Sequence, residues 1–248
     1  MSYVFTVSPD FAPAQIAGWY VFNTWLQKEM QAHIRLQLYD DFDSQRDAIA
    51  ADRIDLIYAN PFDASALVRQ RRFQAIAVPS NKRDEAVVVA SVESGIERVE
   101  DLKPGTRIAI TPNPDVNLIG MIMLEPADLD AGSTLTTAHA THIQVVKGLL
   151  QGKADVGFFL KEAYDELSQM VRTQLRVLVT SQISVIRHVM LVGPKAHDIK
   201  EEMETALLGM TDTPRGRSIL DSLGFAGWDL HTKEDTEFMI DLMDTLVT

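Results

Sequence analysis

The chain of 248 residues contains no cysteine. Disulfides, thiolate nucleophiles and cysteine-ligated zinc are therefore excluded, and the redox character of its compartment is left open. Long apolar runs are missing as well. Nothing approaches the ~18 apolar residues of a membrane-spanning helix, so no transmembrane segment is expected. Residues 1–8 lack the basic start and apolar stretch of a secretory signal, which fits either a cytosolic protein or a mature chain with a start methionine. Basic residues are scarce: 23 lysines and arginines face 35 aspartates and glutamates, a formal charge of −12. Nucleic-acid binding needs a basic stripe that displaces counterions, and the cluster Arg69, Arg71 and Arg72 is too short and reads as a solvated helix end. No nucleic-acid partner is expected. There is no Gly-x-Ser-x-Gly, P-loop, Gly-x-Gly-x-x-Gly or His-Glu-x-x-His motif, so no catalytic residue and no cofactor is assigned.

What the sequence does contain is an alternation of strand and helix patterns. Residues 3–8 read as a strand ended by Pro9, and residues 12–30 carry Ile16, Trp19, Tyr20, Phe22, Leu26 and Met30 at helical spacing. Ile34, Leu36 and Leu38 alternate with polar residues as a second strand. Residues 44–53 form a short helix capped by Ser44, residues 55–59 (DLIYA) a third strand, and residues 63–70 a helix before strands at 73–78 and 86–90. From Gly95 the pattern starts over. A short helix at 99–102, a strand at 107–111, a helix from Pro114, a polar stretch at 130–138, a helix at 142–151 and a strand at 155–159 (DVGFF) follow. A helix at 161–171 and a strand at 175–180 complete this half. The segment 181–188 leads into a strand at 189–192, and then into helices near 200–209, 215–223 and 234–246 that have no strands of their own. Such an order predicts an α/β fold with mostly parallel sheets flanked by helices, its ligand site outside the carboxyl ends of the strands. Asp55-Leu56-Ile57-Tyr58 and Asp155-Val156-Gly157-Phe158 each follow a helix and a similar turn, so they are expected to be equivalent strands of two lobes.

Four stretches, DLIYANPFDASALV, GKADVGFFLKEAYDEL, TAHATHIQVVKGLLQGKADV and the ending LGFAGW…EDTEFMIDLMDTL, resemble the phosphonate/phosphite/phosphate-binding proteins of ABC importers. The resemblance covers nearly the whole chain. It implies a two-lobed type II periplasmic-binding-protein (Venus flytrap) fold, with residues 1–95 and 186–248 as lobe one and residues 96–185 as lobe two. It also implies a ligand held between lobes that close by a hinge motion.

The resemblance, with the strand ends, nominates ligand-binding residues. Tyr58 matches the family's tyrosine at a strand end, a rigid apolar body with a donor and acceptor tip, and Asn60 lies in the turn beside it. In the TPNPDVNLIGMI segment the family places hydroxyl residues at a helix start that cradles an oxyanion. Here Asn113 is a cap, Pro114 suits the first helical position, and Asp115 and Asn117 stand where serine or threonine is expected. A carboxyl group in that turn opposes a phosphonate, so a generic phosphonate site is not expected. His139 aligns with the family's ligand-facing histidine. His142, three residues on, would share a helix face with it; this pair, even with His188 folded in, is too weak a signal for a metal site, and none is assigned. Glu162 takes the place of the carboxylate that receives the ammonium group of aminoalkyl phosphonates. Arg187 replaces an acidic residue and either supplies an anion-binding fork or forms an ion pair, for example with Asp115. Ser8, at the end of the first strand, is a further hydroxyl donor.

These residues predict a solute-binding protein that captures a small polar, oxyanion-bearing ligand for ABC import, with a permease or membrane sensor as partner and the periplasm as location. The alternatives are a cytosolic enzyme on the same fold acting on a small organic acid, and a ligand-sensing domain of a signalling system.

Overall fold

A computed structural model of the chain describes residues 2–11, 13–183 and 186–247. Ala12, at the start of the expected first helix, and Ser184 and Val185, within the expected crossing segment, lie outside the described residues. The chain divides into two compact units: Met1–Arg83 with Arg187–Asp244, and one built on Asp84–Ile186.

In chain order the first unit contains β1 (Ser2–Val7), α1 (Ile16–Glu29), β2 (His33–Leu36), α2 (Phe42–Ala50), β3 (Leu56–Ala59), α3 (Pro61–Arg71) and β4 (Gln74–Pro79). The second unit follows with β5 (Ala86–Ser91), β6 (Arg107–Ile110), α4 (Pro114–Ile122), β7 (Leu135–Ala138), α5 (His142–Leu150), β8 (Val156–Leu160), α6 (Lys161–Asp165), α7 (Gln169–Arg172) and β9 (Leu175–Thr180). The chain then returns to the first unit as β10 (Val189–Val192), α8 (Lys200–Leu208), α9 (Pro214–Leu223), β11 (Trp228–Leu230) and, up to Asp244, α10 (Lys233–Val247).

The first sheet has the order β11-β4-β10-β3-β1-β2 and the second β7-β6-β8-β5-β9. In the first, β1 is parallel to β2 and β3, while β10 runs antiparallel between β3 and β4 and β11 antiparallel to β4. In the second, β6 is parallel to β7 and β8, and β5 is antiparallel to β8 and β9. Both sheets are thus mixed rather than mostly parallel. The reversed strands β5 and β10 are the first strands after each passage of the chain from one unit to the other. Residues 86–91 fall within the stretch 1–95 expected for lobe one, yet β5 is an inner strand of the second sheet, and all six of its residues are buried. Period alone did not distinguish it from a further strand of the first sheet.

The expected equivalence of the two aspartate-led strands has a structural basis. Asp55 Oδ2 accepts the Val4 amide (2.9 Å) and Asp155 Oδ2 accepts the Arg107 amide (2.8 Å), so each carboxyl group ties its strand to the parallel neighbour. Arg107 adds a salt bridge to Asp155 at 2.6 Å, and the pair holds the Asp155 carboxyl below the ordinary range, chiefly through the arginine hydrogen bond.

The core of the first unit is aromatic. Trp19 packs edge-on against Phe5, Phe22 and Phe225, with centroids 5.6–6.1 Å apart, and tilted against Tyr58 at 5.0 Å. Such pairs contribute about 0.5–1.5 kcal/mol each beyond buried area. The second core is mostly aliphatic, with Val87, Val89, Val145 and Leu149 clustered with Phe159.

Several local expectations are corrected. Asp41 rather than Ser44 caps α2, its carboxyl group accepting the Ser44 amide at 2.7 Å. Residues 99–101 form one 3-10 turn rather than an α-helix. The polar stretch 130–138 contains β7, an edge strand whose four residues are all exposed and so show no alternation. The helix expected at 161–171 is broken into α6 and α7. The final helices do have a strand: three-residue β11 joins β4. Among the described residues no helix is long and apolar enough to cross a membrane.

Candidate functional site

In each unit the polar residues collect where the parallel strands end. In the first unit, β1 delivers Ser8 and Asp10, β3 delivers Asn60, and the antiparallel start of β10 brings Arg187 and His188 to the same edge, since Val189 pairs with Ala59. The Ser8 amide donates to the Tyr58 carbonyl (2.8 Å), which continues the β1–β3 ladder and fixes the edge.

A connected set of side chains runs along it. Asn60 caps α3, its Oδ1 accepting the Asp63 amide at 2.8 Å, and its Nδ2 donates to Ser8 Oγ (3.1 Å) and Asp63 Oδ2 (2.8 Å). Asp63 also receives Arg46 through two nitrogens, at 2.7 and 3.2 Å. The Ser8 hydroxyl bonds onward to Asp10, and Asp10 Oδ1 lies 3.0 Å from His188 Nε2. Burial alone would raise the Asp10 pKa; the charge and hydrogen bond of His188, with the Ser8 hydroxyl and a backbone amide, bring it below the usual carboxylate value. The chain Arg46, Asp63, Asn60, Ser8, Asp10, His188 is therefore a pre-formed polar framework. The His188 ring stacks on Tyr58 at 5.3 Å and 30°.

Tyr58 itself is 6% exposed and belongs to the aromatic core, with Phe225 at 5.7 Å and Trp228 at 5.9 Å. Arg187 is half-buried and forms an ion pair with Asp229 of β11 at 3.8 Å. His231 lies within electrostatic reach of that arginine, and burial pushes its pKa down.

In the second unit the edge is formed by the ends of β6, β7 and β8. Asn113 caps α4, its Oδ1 accepting the Val116 amide at 3.1 Å, and Asp115 is buried in the first turn. Asn117 Nδ2 donates to the Thr111 carbonyl at 2.8 Å. His139 is not on a helix. Its amide donates to the Ile110 carbonyl (2.8 Å) at the end of β7, whereas α5 starts at His142 behind the cap Thr141. The two imidazoles therefore do not share a helix face. The His142 ring stacks on Phe159 at 5.4 Å and 24°, and burial lowers its pKa. Glu162 is exposed in the first turn of α6. At the start of β5, Glu85 accepts a short hydrogen bond from the Ser181 hydroxyl and the Ile183 amide at 3.1 Å.

The structure thus gathers Ser8, Tyr58, Asn60 and Arg187 at one edge, and Asn113, Asp115, Asn117, His139, His142 and Glu162 at strand ends of the other unit. Sequence reasoning missed the Asp10–His188 pair, whose members lie 178 residues apart, and the Glu85–Ser181 pair, 96 residues apart. For Asp10 there was a signal, since it follows Ser8-Pro9 in a loop that ends a strand. The α3 and α4 starts also share a pattern: asparagine cap, proline at the first position, and a buried aspartate in the first turn, Asp63 and Asp115 respectively.

Residues 5–236 match the family described as ABC transporter, phosphonate, periplasmic substrate-binding protein. The chain is similar in structure to PhnD1 from Prochlorococcus marinus in complex with methylphosphonate (TM-score 0.82, 12% identity, 99% of this chain and 98% of that chain covered). It is similar to XAC2383 from Xanthomonas citri bound to chloride ion (TM-score 0.83, 14% identity, 99% and 97% covered). It is similar also to the periplasmic aliphatic sulphonate binding protein SsuA from Escherichia coli (TM-score 0.70, 16% identity, 99% and 91% covered). These likenesses show the two-lobed type II periplasmic-binding-protein fold.

Proposed function

This chain belongs to the family of periplasmic substrate-binding proteins of phosphonate ABC transporters, and on that premise we propose that it captures a small, polar, oxyanion-bearing ligand at the strand ends of its lobes and delivers it to an ABC permease. The observation that carries this reading is the family match over residues 5–236. The polar framework at the end of β1 and β3 supports it, because pre-formed hydrogen-bonding groups lower the ordering cost of binding. The periplasm, where the family works, is the proposed location. The proposed ligand-binding residues are Ser8, Tyr58, Asn60 and Arg187 in the first unit and Asn113, Asp115, Asn117, His139, His142 and Glu162 in the second.

The liganded form differs from the empty one in the contacts it can make, so ligand shifts a conformational equilibrium that the permease reads. Methylphosphonate, chloride and aliphatic sulphonates are anions, and the neighbours named for them favour an anionic group in this ligand too. A plain dianion is a poor fit, because the α3 and α4 starts each hold their own buried carboxyl group. Weak binding of phosphate and methylphosphonate is expected in titration calorimetry; tight binding of either contradicts this part of the reading.

His139→Ala and Tyr58→Phe test the site against a merely structural role. His139 is half-buried, and Tyr58→Phe keeps the ring that the core packs. Each is expected to weaken ligand binding about tenfold, about 1.4 kcal/mol, with the melting temperature within about 2–4 °C of the parent, the shift of 1 kcal/mol in a chain of this size. Equal losses of stability, with unchanged affinity, would mark both as structural.

A further inference from the structure

Along the strand-end edge of the first unit, Asp10 and Asp63 carry carboxyl groups nearly sealed from solvent, each side chain 9% exposed. Each has a basic partner, His188 for Asp10 and Arg46 for Asp63. The second pair is the more firmly built. Both Asp63 oxygens accept from one guanidinium, from Nε at 2.7 Å and Nη2 at 3.2 Å, a bidentate arrangement that fixes the fork against the carboxyl group. The same guanidinium lies over two rings, 5.3 Å from the Phe42 centroid and 5.6 Å from the Phe62 centroid. Both distances are within reach of cation–π attraction, so one carboxyl group and two aromatic faces hold the arginine. Phe42 is the first residue of α2 and Phe62 the second of α3, the helices that follow β2 and β3. The clamp therefore sits at the strand-end edge and ties two helix starts together. Asn60, which also bonds Asp63, supplies a neutral donor and leaves the charge in place.

An anion approaching this edge meets the field of Asp63, which burial leaves poorly screened by water. Arg46 supplies the opposite charge at hydrogen-bond distance, so the pair presents a dipole rather than a net negative charge. We infer that Arg46 determines the charge selectivity of the strand-end site in the first unit: by cancelling the charge of Asp63 it lets this edge accept an anion, a role that rests on the solute-binding reading above. It acts through Asp63 and needs no contact with the ligand. The α3 carboxyl group thus opposes an anion less than its burial alone implies, and opposes it in full only when the arginine is lost. Arginine suits this place better than lysine, because its planar fork both pairs with two oxygens and stacks on rings.

Titration calorimetry with ethanesulfonate, propionate and ethylphosphonate, followed through the variants with whichever binds the parent most tightly, separates this role from a merely structural one. Arg46→Met keeps a long apolar side chain beside Phe42 and Phe62 but leaves the Asp63 charge uncancelled. It should weaken binding by about tenfold or more, the effect of one poorly screened like charge near an anion. Asp63→Asn removes the carboxylate, keeps an oxygen that accepts from Asn60, and leaves the arginine charged, so it should bind the anion more tightly than the parent. Arg46→Met combined with Asp63→Asn should return to within about threefold of the parent, because neither charge is then present. A scaffold role predicts the reverse: Asp63→Asn weakens binding as Arg46→Met does, and the combination gives no recovery. That pattern overturns the inference, as does unchanged affinity in Arg46→Met, and both leave the solute-binding reading intact. Should Arg46→Met fold poorly, Asp63→Asn decides by itself, since binding no tighter than that of the parent overturns the inference. Binding of none of the three anions to the parent overturns the oxyanion-bearing ligand itself, and this inference with it.

Discussion

Asp10→Ala is expected to destabilise the first unit by about 3–5 kcal/mol, the range for removing one partner of a buried ion pair. The carboxyl group and the His188 ring are both nearly sealed from solvent, with Nε2 3.0 Å from Oδ1, so the substitution strands a histidine that has lost its acceptor. Ser8 loses the group its hydroxyl serves, and Tyr58 loses a fixed stacking partner. Ligand binding should fall with it, since Ser8 loses its link to His188 at one end of the framework. The dependence on pH has a definite sign. The folded Asp10 pKa lies below the ordinary aspartate value, so this stabilisation is fully present above that ordinary value and is lost as pH falls through the depressed folded value. Urea unfolding at a series of pH values should therefore show an acid limb in the parent that is reduced in Asp10→Asn. A loss under about 1 kcal/mol for Asp10→Ala would show that desolvation cancels the pair.

Asn60→Ala comes second, with an expected cost of about 2–4 kcal/mol. Losing an asparagine N-cap costs about 0.5–2 kcal/mol, and here the same side chain also supplies the donor that Ser8 Oγ and Asp63 Oδ2 receive. Asn60 is fully buried, so water cannot replace those donors without a cavity rearrangement. Asp63 would keep Arg46, which softens its loss. A urea midpoint shift at constant slope measures the effect. A cost no greater than that of an ordinary exposed cap would mean that the network along the strand ends is not coupled.

These two residues also show how far sequence reasoning reached. Asn60 is nominated by the family resemblance and by its place in the turn after a strand pattern, whereas its role as the cap of α3 comes from the structure, where the helix starts at Pro61 rather than at residue 63. The Asp55 and Asp155 strands are recognisable as equivalents from the helix and similar turn before each, and the structure adds that both carboxyl groups tie their strands to the parallel neighbour. Asp10 was passed over because its partner lies 178 residues away, brought close by the insertion of β10 between β3 and β4. No local period reports such an insertion. For the same reason β5 was assigned to the wrong half: an all-buried run of valines carries no face preference, and only its pairing with β8 and β9 places it. β7 and β11 were overlooked for the opposite cause. One is an exposed edge strand and the other three residues long, so neither presents an alternating pattern. The nominated His139–His142 pair depended on the residue at which a helix starts, and the Thr141 cap puts the start after His139.

Retention of a small solute by the strand-end residues is the proposal on which the functional reading turns. Native mass spectrometry of the full chain, purified without added ligand and compared with Asn60→Ala, tests it most directly. The account predicts a folded parent carrying the mass of one small polar molecule, released on denaturation, with that mass absent or strongly reduced in the variant. A parent at the bare-chain mass that also stays bare when titrated with small organic phosphonates, sulfonates and carboxylates would contradict it.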